Sequence, residues 1–262
     1  MRSVLVIFLA LVAACLMVVR KLDKSAEAST PDVLGASGPE EAQEILKLVE
    51  VSYRILKSDE FANNFIKLET NNDVLYTRRG PIYMSPREVL ESLRFDSLAR
   101  PVPVKFVIVG QDRNSSDWYR AATSPGGYLT KHVRIYIGRG NLSEFDSADI
   151  VERSCAINTM AHELSHSVFL KDDPRQSVFT DTTPRDDGIG DNIKGAPIAT
   201  YAIGTVAQCT YLQMEGRLRA DEFLGCVEVF GIKSFHSPRC KEFSLGQPVV
   251  YSRSLSPPAP DV

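Results

Sequence analysis

The chain has 262 residues, 44% of them hydrophobic and 24% charged, which suits a globular unit with a substantial core and excludes a disordered or fibrous chain. A formal net charge of −3, with no basic run longer than a pair such as Arg78-Arg79, excludes the electrostatic footprint of a nucleic-acid-binding domain. In chain order, residues 1–24 come first as a signal or anchor segment. Val4 to Val19 is unbroken apolar sequence ending at Arg20-Lys21, longer than a usual signal core and shorter than the ~20 residues of a comfortable span. Three readings stay open: cleavage after "SAEA", a lipoprotein-like box "VAAC" ending at Cys15, and an uncleaved anchor. Each exports the body of the protein, either secreted or tethered to a membrane by this segment.

Residues 25–39 are small, polar and punctuated by Pro and Gly, and are read as a linker. The fold is then expected to occupy residues 40–250, with a disordered tail at 251–262. From Pro39 to Ser58 the spacing of Ile45, Leu48, Val49, Ser52 and Leu56 predicts an amphipathic helix with acids in its first turn. A second helix is predicted at "SPREVLESLRF", with Ser85 as cap and Pro86 in the first helical position. "VPVKFVIVG" and "HVRIYIG" read as strands, and residues 113–130 between them as loop. A helix is predicted from Ser154 to Lys171, stopped by Asp172-Asp173-Pro174, followed by a long polar loop over 172–195. "APIATYAIGTVAQCTYLQ" predicts another helix, and "CVEVFGIKSF" a short strand or hairpin. Together these elements predict an α+β class, with a small mixed sheet packed on helices.

The body holds four cysteines, Cys155, Cys209, Cys226 and Cys240, with no Cys-x-x-Cys pair. Behind an export segment an even count predicts two disulfides, and the pairing closest in sequence is Cys226 with Cys240, leaving Cys155 with Cys209. Asn114 and Asn141 stand in glycosylation sequons, relevant only in a eukaryotic secretory route.

The helix predicted around residue 160 carries the chemistry. His162 and His166 are four apart, about 40° apart in helical projection, so both imidazoles can reach one ion. Glu163 lies roughly 100° from His162, at the edge of that face, placed to hold a water rather than the metal. Ile157, Met160, Ala161, Leu164 and Val168 form an apolar stripe on the opposite side. The bland alternative, two histidines and a glutamate on a solvated face, fits poorly with so apolar a helix.

The stretch resembles the active-site helix of the zincin metallopeptidases, His-Glu-x-x-His. Thr159 three residues before the first histidine, uncharged Leu164 and Ser165 within the motif, and Val168 two after the second histidine all follow the wider pattern. About a dozen residues carry the resemblance firmly; elsewhere only the order of a helix, then strands, then the metal helix agrees, and no subfamily emerges. The resemblance implies a zincin-like domain in which His162 and His166 bind Zn²⁺, with a third protein ligand and one position left for water. It implies hydrolysis of protein or peptide substrates by a zinc-bound water, with Glu163 as general base.

For the third ligand several acids compete. Asp172 holds the position after Gly-x-x in the metzincin pattern, but Phe169 replaces that glycine. If the helix ran on to Lys171, Asp172 would lie about 9 Å along the axis from His166. Glu215 and Glu222 could act as the downstream glutamate of gluzincins. Asp181 follows enough loop to fold back, with apolar Val178 and Phe179 to pin it, and is the preferred candidate. His132 and His236 are read as structural or exposed, and the acids of "DTTPRDDGIGDN" as solvated loop, since they miss the EF-hand spacing. The competing functions are a zincin-like binding or envelope-structural module without turnover, and hydrolysis of a non-peptide amide.

Overall fold

The computed structural model describes residues 32–70, 74–78, 82–93, 104–109, 121–124, 133–168, 177–181 and 197–230. The signal or anchor segment, the C-terminal tail, Cys240, His132, His236, Asn114 and Asp172 all lie outside them. The first described element already departs from expectation. Within the stretch read as a linker, Asp32–Leu34 is a strand, β1, whose apolar Val33 packs against the core. Gly35 turns the chain at φ 78°, and a Cβ there would meet the Ile108 carbonyl at 2.8 Å.

Helix α1 (Pro39–Leu56) begins with proline in its first turn and buries Ile45, Leu48, Val49, Ser52 and Leu56, the predicted stripe. The sequence reading passed over α2 (Asp59–Ile66), which Ser58 caps by accepting from the Phe61 N–H. A short 3₁₀ turn (Lys67–Thr70) follows. Strands β2 (Leu75–Arg78) and β3 (Ile82–Met84) pair as a separate antiparallel hairpin. Helix α3 (Pro86–Ser92) has the predicted Ser85 cap, completed by Glu88 into a reciprocal capping box.

The two predicted strands are β4 (Val104–Val109) and β6 (Val133–Gly138), and they pair in parallel. Between them, inside the stretch expected to be loop, lies β5 (Ala121–Ser124). Its Ala-Ala-Thr-Ser sequence lacks the large β-branched residues that signal strands, so only pairing with β6 reveals it. The sheet order is β1-β4-β6-β5, parallel except for antiparallel β5 at the edge. Val133, Ile135 and Ile137 of β6 are buried, while Arg134 between them is exposed. Helix α4 (Arg139–Phe145) leaves β6 directly and is joined to α1 by the Arg139–Glu41 pair at 2.8 Å. Asn141 on α4 is fully buried, so its sequon has no surface on which a glycan could sit.

The centre of the molecule is the packing of α5 (Ile150–Ser165) on α6 (Ala199–Met214). Asp149 caps α5 by accepting from the Val151 N–H at 2.8 Å, so the helix starts four residues before the predicted Ser154. It also ends earlier than Lys171, at Ser165. Its apolar stripe is buried: Ile157, Met160, Ala161 and Leu164 are fully inaccessible. Gly204 on α6 faces Asn158 on α5 so closely that a Cβ would collide with the Asn158 side-chain oxygen and backbone carbonyl. Around the crossing Asn158 Nδ2 donates to Gln208 Oε1 at 2.7 Å, and Gln208 Nε2 donates to Ser154 Oγ at 3.1 Å. From α2, Asn64 reaches Thr210 and Gln213 on the other side of α6.

Phe223–Phe230 is a helix, α7, and it takes in residues 226–230 of the stretch 226–235 where a short strand or hairpin was expected; the rest of that stretch lies outside the described residues. Phe223, Cys226 and Val227 are buried at helical spacing, three and four apart, and a short apolar run cannot reveal that period by itself. The disulfide pairing is corrected with it. Cys209 on α6 bonds Cys226 on α7, with Cα atoms 6.0 Å apart, because the turn after α6 folds α7 back against it. Cys155 is also disulfide-bonded, to a partner outside the described residues. Disulfides suit an oxidising, extracytoplasmic compartment. Among the described residues no helix is long and apolar enough to cross a membrane.

The crossing at Gly204 sets how closely α5 and α6 approach. Gly204→Ala should destabilise the protein by about 1–3 kcal/mol through overpacking, despite the better helix propensity of alanine. Urea unfolding of the oxidised protein, followed by far-UV circular dichroism, measures this. An unchanged midpoint would mean that the helices separate at no cost.

Candidate metal centre

The last turn of α5 presents His162, Glu163 and, at its C-cap, His166. Serine side chains end the helix here. The hydroxyl of Ser165 donates to the His162 carbonyl, and that of Ser167 to the Leu164 carbonyl, both at 2.6 Å. The backbone tightens at the same place, with His166, Ser167 and Val168 each donating to the carbonyl three residues before. The chain returns at Ser177: the Val178 N–H donates to the Val168 carbonyl at 2.7 Å, and the Ser177 hydroxyl reaches the carbonyls of Val168 and Phe179. Val178 and Phe179 are both buried, Phe179 completely. Thr180 N–H donates to the Thr77 carbonyl on β2 at 2.7 Å, and the next residue is Asp181.

This return brings three side chains together. Asp181 Oδ2 lies 3.2 Å from His162 Nε2 and 3.2 Å from His166 Nε2, and the two Nε2 atoms are 3.3 Å apart. His166 Nδ1 donates to the Phe179 carbonyl at 3.0 Å, which leaves Nε2 as the ring nitrogen that faces the other two atoms. The Thr200 hydroxyl, fully buried at the start of α6, donates to the other Asp181 oxygen, Oδ1, at 2.7 Å. The Tyr201 ring stands edge-on to His162 with centroids 4.7 Å apart. Glu163, nearly buried, has Oε1 4.0 Å from His162 Nε2.

Spacing and donor type test which ion these residues fit. Tetrahedral Zn²⁺ with bonds of about 2.0–2.1 Å separates its ligand atoms by about 3.3–3.4 Å, close to the triangle found here. Octahedral Mg²⁺ at the same bond length would bring neighbouring ligands to about 2.9 Å, and both Mg²⁺ and Ca²⁺ prefer oxygen to imidazole nitrogen. Two imidazoles and one carboxylate at this spacing suit zinc.

The charges support one another. Burial alone would lower the His166 pKa, but the Asp181 carboxylate, the Glu163 charge and the Phe179 carbonyl raise it to about 9. Burial likewise opposes ionisation of Asp181, yet the two histidines hold its carboxyl well below the usual range. Tyr201 is pushed up to about 12 by burial and by the nearby Asp181 and Glu163 charges, so it keeps its proton.

Of the other third-ligand candidates, Asp172 lies outside the described residues, and Glu215 and Glu222 do not join the cluster. Glu215 caps the C-terminal end of α6, 15 residues or about 22 Å of helix beyond Thr200. Glu222 is exposed and accepts from the Arg219 N–H. Thr200, Tyr201 and the Phe179 carbonyl went unnoticed in the sequence; a Thr-Tyr pair is no signal by itself, since Thr210 and Tyr211 form another on the same helix. Comparison with known proteins returns no match: no family model fits the chain, and no curated protein or solved structure is significantly similar to it.

Two predictions follow from the geometry of the triad. Purified protein should bind about one Zn²⁺ per chain, and His162→Ala, His166→Ala or Asp181→Ala should each abolish stoichiometric binding, whereas Glu215→Ala and Glu222→Ala should not. Metal analysis after gel filtration decides it; full zinc in the three triad variants would refute the site. The second concerns chelator-treated protein. A raised histidine pKa stabilises the fold fully below its unfolded value, about 6.5, and that contribution is lost as pH rises through about 9. The depressed Asp181 acts in the opposite sense, its contribution being lost only in acid. The urea midpoint should therefore fall between pH 6.5 and 9.5, and His166→Ala should remove this dependence.

Proposed function

We propose that the protein is an exported zinc-dependent peptidase of the zincin type, in which His162, His166 and Asp181 hold the ion and Glu163 is the general base. The observation that carries this reading is the convergence of three ligand atoms within 3.3 Å of one another, beside a nearly buried glutamate on the same helix. A bound zinc would supply Lewis acidity there, polarising a carbonyl and lowering the pKa of a water.

The remaining chemistry belongs to the side chains. Glu163 is rigidly held by burial on α5 and accepts the proton of the attacking water, then hands it to the leaving amine. Tyr201, protonated throughout the neutral range, stands against His162 as a hydrogen-bond donor for the oxygen that gains charge when the carbonyl is attacked. Strand β5 packs near α5 and has a sheet neighbour on one side only among the described residues. Strand addition at its other edge is how this sheet would take up an extended peptide, the geometry by which a sheet edge binds unfolded chain. The N-terminal apolar segment would secrete the domain or tether it to a membrane.

Glu163→Gln separates chemistry from binding. Zinc should remain while peptide cleavage falls by about 10²–10⁴, because the amide keeps the shape but loses the basic oxygen. Tyr201→Phe should also keep zinc and lose about 10²–10³ in kcat. Cleavage of a generic peptide library by wild type, with metal content measured on the same samples, is the assay. A zinc-loaded wild type that cleaves no peptide would favour the binding-module alternative, and a Glu163→Gln variant as active as wild type would sink the mechanism.

A further inference from the structure

We propose that Thr200 is a positioning residue that fixes Asp181 as a one-oxygen ligand and so makes the centre select a four-coordinate ion over cations of higher coordination number. The inference rests on the reading that the triad holds zinc. It begins with a division of labour within one carboxylate. Oδ2 faces both imidazoles at 3.2 Å, while Oδ1 is engaged by the Thr200 hydroxyl at 2.7 Å. For Asp181 to offer both oxygens to an ion, its carboxylate would have to turn and Oδ1 would have to leave that hydroxyl. Thr200 is fully buried, so its hydroxyl would then lose its partner away from water.

Neither partner is easily displaced, because both are tied to the same strand. On β2, Tyr76 donates its N–H to the Pro197 carbonyl at 2.9 Å, three residues before Thr200, and bridges Ile198. Its neighbour Thr77 accepts the Thr180 N–H at 2.7 Å, one residue before Asp181. Consecutive residues of one strand thus set the separation between hydroxyl and carboxylate. The β-branched side chain adds stiffness at χ1. With Asp181 restricted to one oxygen, the protein offers three ligand atoms, the number that suits a four-coordinate site with one position open. Larger oxygen-seeking cations need six or more ligands and commonly take a carboxylate through both oxygens.

The test compares wild type with Thr200→Ser, which keeps the hydroxyl, and Thr200→Val, which keeps the shape and removes it. Zinc affinity is measured by competition with a chromophoric chelator, and coordination number by the visible absorption of Co²⁺-loaded protein, intense when four-coordinate and weak at higher numbers. Loss of the hydroxyl should weaken zinc by about 10–100-fold, the usual cost of losing a ligand's hydrogen-bond partner. The cobalt bands of Thr200→Val should fade, and Mn²⁺ should compete better against zinc than in wild type. Thr200→Ser should restore both the affinity and the spectrum, which a purely packing role for the threonine methyl would not do. If Val prevents folding, seen as loss of the thermal transition, Thr200→Ala makes the same removal and is read the same way. A hydroxyl-free variant with wild-type zinc affinity and wild-type cobalt bands overturns this inference alone. A wild type that binds neither ion overturns it together with the metal reading.

Discussion

A single residue, Phe179, joins the two parts of the chain on which the candidate centre depends. Its fully buried ring anchors the returning segment in the core, while its carbonyl accepts the Nδ1–H of His166. The first contact decides where Asp181 arrives, and the second decides which His166 nitrogen faces it. An aspartate two residues beyond an anchored phenylalanine cannot wander far. A histidine whose Nδ1 is engaged cannot present the wrong tautomer. The surrounding structure serves these two requirements: β2 holds Thr180 from one side, and Ser177 ties the return to the end of α5.

The wall opposite is built just as closely. Gly204 lets α6 approach α5 at Asn158, one turn before His162, so Thr200 and Tyr201 at the head of α6 reach the same place as the last turn of α5. A side chain at Gly204 would push apart the two helices that together position ligand, hydrogen-bond partner and aromatic wall. The Asn158–Gln208–Ser154 network satisfies the polar groups that this close crossing buries. The Cys209–Cys226 bond lies farther along α6 and holds α7 against it, supporting the crossing from behind.

How much of this was legible in the sequence depended on the range of the interaction. The α1 stripe, the Ser85 cap and the apolar face of α5 are periodic or local signals, and they appear where the sequence placed them. The α+β class followed from the same signals. Features that depend on distant partners were misread. Strand β1 looked like linker because its short sequence becomes a strand only against β4, and Ala121–Ser124 looked like loop because β6 supplies its pairing. Pairing cysteines by nearness in sequence failed because α7 folds back on α6, a tertiary fact. His162 and His166 were legible because a helix enforces their spacing. Thr200 was not, since nothing in "PIATYAIG" says that an aspartate 19 residues earlier lies beside its hydroxyl.

The way α5 ends, and the way the chain pairs on its return, bring Asp181 to the histidines. An aspartate six residues beyond His166 could fold back only if the chain turned at once, which is what a glycine at position 169 would permit; this chain has phenylalanine there. Serines 165 and 167 instead close the helix over its own carbonyls and hand the chain to Val168, which is buried. From that point the backbone is already paired with the return at Val178. The place of Asp181 is set by where the return pairs with Val168 and β2, a register of backbone hydrogen bonds, rather than by its count of residues from His166. This is the physical reason a fixed spacing pattern beyond His-Glu-x-x-His does not locate it.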